Sequence, residues 1–198
     1  MRSAAQIISY EIPLGLSILL PVLVVGSLEM SEIVAWQAEH RWFILHSPFT
    51  FIAFFIFFIS GLAETNRTPF DIPEAESELV AGWMTEYSGF RWAIFFLSEY
   101  ASMLIICILS SVLFLGGWLS PMTIFNIFPD SWLFFDGPIW GIFWLFSKAL
   151  FLIFVMMWFR WTFPRLRVDQ LMHLCWKVFI PFALANLFFV AILELIFL

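Results

Sequence analysis

Six carboxylates, Glu64, Asp71, Glu74, Glu76, Glu78 and Glu86, fall within 23 residues in the stretch GLAETNRTPFDIPEAESELVAGWMTEYSGFRW. Only Arg67 and Arg91 offset them there. Like charges this close disfavour full ionisation, and apolar surroundings do the same. Carboxylates so placed can exchange protons near neutral pH. A solvated acidic loop is the plainer reading. Against it, Phe70, Ile72, Ala75, Leu79 and Val80 interleave with the acids, which points to packing. The Thr68-Pro69 and Ile72-Pro73 steps bias the backbone towards extended segments. Asn66-Arg67-Thr68 matches a glycosylation sequon, but the distribution of basic residues puts it on the side of the membrane where that modification does not occur.

Further ionisable groups lie in or beside apolar runs: Glu11 next to Tyr10, Glu99, Lys148 and Glu194. A charge inside a span costs about 2.5–3.5 kcal/mol on insertion scales, so each is a functional candidate by default. Lys148 is near the middle of its run. A structural ion pair, for instance Glu99 with Lys148, is one reading. A water-filled path with titrating carboxylates at Glu11 and Glu99 is the sharper one. Glu194 reads as a group reaching the far interface, and His40, His46 and His173 lack metal-ligand spacing. Cys107 and Cys175 are far apart with no CxxC, so the chain lacks the cysteine pattern of an iron–sulfur cluster or structural zinc.

The elements that must position these groups are membrane helices. Of 198 residues, 63% are hydrophobic and 12% charged, against roughly 45–50% and 25% in soluble domains. Mean hydropathy is +0.97. Too few polar side chains exist to cover a water-facing surface, which excludes a soluble enzyme or a nucleic-acid binder. Unbroken apolar runs exceed barrel strands, so the fold class is all-α and polytopic. Five spans are expected, at about 12–28, 42–62, 92–115, 138–159 and 176–198, in one transmembrane domain over 1–198 with the acidic loop at 63–91. Pro13 and Pro21 predict tilt or a kink in the first. Arg2, Arg67, Arg91, Arg160, Arg165, Arg167 and Lys177 then fall on one side and only Arg41 in a loop on the other. By the positive-inside rule the N-terminus, the 63–91 loop and the 160–175 loop face the cytoplasm or its organellar equivalent.

The string AETNRTPFDIPEAESELVAG, followed by EYSGFRWAIFFLSEYA, resembles the NADH dehydrogenase subunit 1 family, the quinone-chamber membrane subunit of respiratory complex I. FRWTFPRLRVDQLMHLCWKVFIP (159–181) is similar to the family's last loop and final helix, and AAQIISYEIPLGL (4–16) to the start of its fourth. The resemblance covers nearly the whole chain and implies the last five helices of an eight-helix subunit. A split gene, completed by a separate N-terminal chain, is one expectation; a truncated sequence is the other.

The resemblance implies a subunit of proton-translocating NADH:ubiquinone oxidoreductase with no redox centre of its own. Ubiquinone is then the substrate, and flavin and iron–sulfur clusters sit in partner subunits. Implied partners are the soluble quinone-site subunits, neighbouring membrane subunits and lipids. Glu64, Arg67, Asp71, Glu74, Glu76, Phe96, Arg160 and Arg165 would belong to the quinone chamber. Tyr10, Glu11, Glu64, Glu74, Glu76 and Glu99 would form a proton relay, with Lys148 structural or tuning the field. A split gene and a Phe-heavy composition point to the mitochondrial inner membrane, with the N-terminus and acidic loop on the matrix side and the C-terminus on the intermembrane-space side. The rival reading is a structural anchor of complex I, or of a related membrane-bound hydrogenase, without a proton role.

Overall fold

The computed structural model describes residues 2–71, 86–121 and 137–197. The described elements are all helical: α1 (Arg2–Val25), α2 (Met30–Glu39), α3 (Phe43–His46), α4 (Pro48–Glu64), α5 (Phe90–Phe114), α6 (Pro138–Thr162), α7 (Val168–Leu174), a π-helical turn (Cys175–Phe179) and α8 (Ile180–Phe197). Four stretches are long and apolar enough to cross a membrane, Gln6–Val25, Phe90–Phe114, Ile139–Thr162 and Asp169–Ile196. Pro48–Glu64 is a shorter apolar helix beside them. The protein is an all-α polytopic membrane protein.

Several elements differ from the apolar runs that suggested them. Helix α1 starts at Arg2, ten residues ahead of its apolar run, and continues through Pro13 and Pro21. The expected 42–62 run is broken at Ser47-Pro48. Ser47 is the N-cap of α4: its hydroxyl accepts from Thr50 N at 3.2 Å, and its own N–H donates to Thr50 Oγ1 at 3.1 Å. Pro48 fits the first helical position, where no N–H is needed. The 29–41 segment, expected as a loop, holds a helix, α2, because Ile33, Val34 and Gln37 make one buried stripe. Gln37 ties that stripe to the end of α5, donating to Val112 O at 3.0 Å and accepting from Gly116 N at 2.9 Å.

The core is dominated by aromatic rings. Phe57 and Phe114 are fully buried, and Phe114 packs against Phe54 and Phe57 with centroids 5.7 and 5.6 Å away. Helices α4 and α5 approach closely at Gly61, where an added Cβ would lie 2.6 Å from Ile106 Cγ2. Small residues allow such contacts between membrane helices.

Helices α5 and α6 are antiparallel and staggered. The Cys107 thiol donates to Met156 Sδ at 3.7 Å, which brings the end of α5 opposite the middle of α6. There α5 stops at two left-handed glycines, Gly116 (φ 74°) and Gly117 (φ 50°). The carbonyls that leave the helix have no intrahelical donors and need others. Lys148 supplies them, donating to Leu115 O at 2.7 Å, Gly117 O at 2.9 Å and Leu119 O at 2.6 Å. Its ammonium also sits 4.2 Å from the Trp42 ring centroid. The suggested Glu99–Lys148 pair is therefore not formed: the stagger aims Lys148 at backbone, and Glu99 meets Arg67 instead.

Candidate functional site

At the C-terminus of α4 the chain reverses over residues 65–70. Thr65 N bonds Gly61 O at 3.1 Å and Thr65 Oγ1 donates to Leu62 O at 3.1 Å, closing the helix. Asn66 takes a left-handed conformation (φ 51°), which asparagine tolerates better than most residues. Phe70 N donates to Arg67 O at 2.8 Å and Leu166 N to Pro69 O at 3.1 Å, tying the turn to itself and to the loop before α7. The Thr68-Pro69 peptide is cis.

This turn delivers Arg67 to α5. Arg67 Nη2 lies 3.5 Å from Glu99 Oε2, with side chains only 11% and 19% exposed. The guanidinium also stacks 4.4 Å from the centroid of Tyr100. Such a contact adds about 0.5–2 kcal/mol depending on solvation. Arg67 Nε and Nη2 and Glu99 Oε1 are buried and make no hydrogen bond among the described residues. The pair is thus a charge contact with polar valences left over, the arrangement expected where water or a polar ligand completes a site. Up α5 from Tyr100 runs an aromatic ladder at helical spacing: Phe96 is 4.8 Å from Tyr100, and Trp92 stacks on Phe96 at 5.3 Å. Phe96 and Trp92 are exposed.

Helix α1 braces the same region. The buried Gln6 amide donates to Ala63 O at 2.9 Å and Phe70 O at 2.8 Å, with Asn66 Oδ1 at 3.4 Å. Tyr10 is fully buried, donates to Leu171 O at 3.0 Å, and packs against Phe70 at 5.6 Å and Phe179 at 6.2 Å. At the π-helical turn the Cys175 thiol donates to Ser9 O at 2.8 Å, and Trp176 Nε1 to Ser9 Oγ at 3.1 Å. Extra-wide helical turns of this kind recur at functional sites.

A sequence profile of the NADH dehydrogenase family matches residues 1–191. The chain belongs to that family. It is similar to an NADH-quinone oxidoreductase subunit from Chlorobaculum tepidum, 51% identical over 196 residues, covering 97% of this chain and 54% of that one. The Geobacillus sp. (strain WCH70) protein of the same name is 51% identical over 197 residues, covering 100% and 54%. That of Bacteroides fragilis is 50% identical over 189 residues, covering 94% and 51%. The chain spans about half the length of the curated relatives it matches.

In this NADH dehydrogenase family chain the structure brings together Arg67, Glu99 and Phe96, with Tyr10 behind the turn. Glu11 and Glu64 are exposed and close enough to repel each other. Asp71 is half-buried just past the turn. Arg160 is exposed in the last turn of α6, and Arg165 is half-buried in the following loop. Glu74, Glu76 and Glu78 lie outside the described residues. Two participants do not stand out in the sequence, Gln6 and Tyr100. Gln6 carries a legible signal all the same: with Ser9 and Tyr10 it makes a polar stripe at i, i+3, i+4 in the first half of α1.

Proposed function

We propose that this chain forms part of a quinone-reducing NADH dehydrogenase membrane subunit, walls its quinone chamber, and couples quinone reduction to proton translocation. The observation that carries the reading is the Arg67–Glu99 contact, with Tyr100 under the guanidinium and unpaired buried polar atoms on both charged partners. The Trp92–Phe96–Tyr100 ladder offers an apolar, aromatic wall leading to that charged centre. It suits a ligand with an isoprenoid tail and a polar head.

Quinone reduction draws two electrons and two protons to the head group. Electrons come from cofactors in partner subunits, and this chain's residues supply position and field. Negative charge developing near Arg67 competes with Glu99 for the guanidinium. Glu99 then loses part of its counter-charge. Glu64 and Glu11, which repel each other, are the next carboxylates of the proposed relay, and a coupled set of carboxylates can pass such a change on. Asp71, Glu74, Glu76, Arg160 and Arg165 belong to the chamber end of this proposal.

The membrane proposed is the mitochondrial inner membrane, with the basic end towards the matrix and the soluble subunits. The Phe-rich composition supports it. In the plasma membrane of a bacterial relative, the same end would face the cytoplasm.

Glu99→Gln in the assembled complex tests the coupling role. Proton translocation per quinone reduced should fall while assembly persists. Unchanged translocation in an assembled variant would remove Glu99 from the relay.

A further inference from the structure

Among the described residues one side chain outside the turn that aims Arg67 hydrogen-bonds both its ends, beside the backbone bond of Leu166 N to Pro69 O at 3.1 Å. Gln6, 1% exposed, reaches across from α1 and places Nε2 against two carbonyls seven residues apart, Ala63 O at 2.9 Å and Phe70 O at 2.8 Å. These carbonyls flank the segment that contains Arg67. The amide orientation is fixed by this network, since only the nitrogen can face two carbonyl oxygens. The bonds spaced along the turn fix its two ends, whereas bonds within the turn, such as Phe70 N to Arg67 O, set only its local shape. Phe70, held at its carbonyl, also presents its ring to Tyr10 at 5.6 Å. One amide thus locks α1, the end of α4 and the start of the acidic stretch into one unit.

We infer that Gln6 is the positioning residue of the candidate quinone site: by clamping Ala63 and Phe70 it sets where the Arg67 guanidinium stands against Glu99 and Tyr100. The inference rests on the proposed function for its kinetic consequence, while its structural half stands on geometry alone. Glu is the discriminating substitution. It has the size of Gln, but it has no N–H and turns an oxygen towards both carbonyls. Leu fills the space with neither donor nor charge.

The test is a double-mutant cycle in the intact assembly, combining Gln6→Glu and Gln6→Leu each with Arg67→Gln. Quinone KM and kcat are measured together with hydrogen exchange over residues 65–71. Two lost hydrogen bonds correspond to roughly a 10- to 30-fold effect. Amide exchange over 65–71 should rise by about that factor in both Gln6 variants. Quinone KM should rise several-fold more than kcat falls. In the Arg67→Gln background the added KM effect of either Gln6 substitution should shrink to less than about twofold, because the two residues act through one group. Additive effects on KM, or unchanged exchange over 65–71, would overturn the assignment. If Arg67→Gln alone leaves quinone KM unchanged, the quinone-site reading fails and the exchange data still decide whether Gln6 holds the turn. Should Gln6→Glu fail to assemble, the Leu variant carries the same comparison.

Discussion

Replacing Lys148 by Met separates a structural lysine from a proton-carrying one. The two side chains have similar length, so packing beneath Trp42 is largely kept. What is lost is a donor to three carbonyls, Leu115 O, Gly117 O and Leu119 O, at 2.6–2.9 Å. A buried acceptor left without a partner costs about 1–3 kcal/mol. Three of them come to roughly 3–9 kcal/mol, partly offset because Met removes the several-kcal/mol cost of burying an ammonium. A net loss on the order of 2–4 kcal/mol remains. For a chain of this size that shifts Tm by about 4–16 °C. The assay is thermal unfolding of the solubilised assembly, with protease sensitivity of the 115–119 segment as a local probe. Lys148→Arg, which keeps charge and donors, should retain most of the stability. A Met variant that melts within about a degree of the parent but no longer translocates protons would refute the reasoning, because it would show that Lys148 serves the relay and not the end of α5.

Two further outcomes follow from the packing. Gly61→Ala puts a methyl 2.6 Å from Ile106 Cγ2, so overpacking of about 1–3 kcal/mol should appear as lower Tm; the double variant with Ile106→Ala should recover much of it, and a neutral Gly61→Ala would show that α4 and α5 are not so close. Tyr10→Phe removes only the bond to Leu171 O at 3.0 Å; it should cost about 1 kcal/mol by thermal unfolding, while Tyr10→Ala should cost several, since the buried ring between Phe70 and Phe179 goes with it.

The fold class was legible because a bilayer constrains composition so strongly that 63% hydrophobic residues leave few alternatives. Helix ends were less so. Hydropathy marks where a chain is apolar, while caps decide where it is helical. α1 therefore begins at Arg2 among residues too polar to register, and Ser47-Pro48 breaks a run that is mostly apolar. Arg67 and Glu99 could each be picked out as charges beside or inside apolar sequence. Their pairing could not, since it depends on a turn placed by a left-handed Asn66 and on the register of α5. Lys148 illustrates the same limit. Its position in mid-helix could be read directly, but its true partners are carbonyls exposed by the stagger of α5 against α6. Backbone groups as partners leave no trace in residue types.

The central claim, that the Arg67 turn and the α5 aromatic ladder line a quinone chamber, is tested most directly by photolabelling the intact assembly with a quinone analogue and mapping the attachment sites. Labels should fall between Glu64 and Tyr100, be displaced by excess quinone and be reduced by Arg67→Gln. Labels confined to other parts of the chain or to other subunits, with charge-neutralising changes in the 63–91 stretch altering assembly but not quinone affinity, would contradict it and leave a structural anchor in its place.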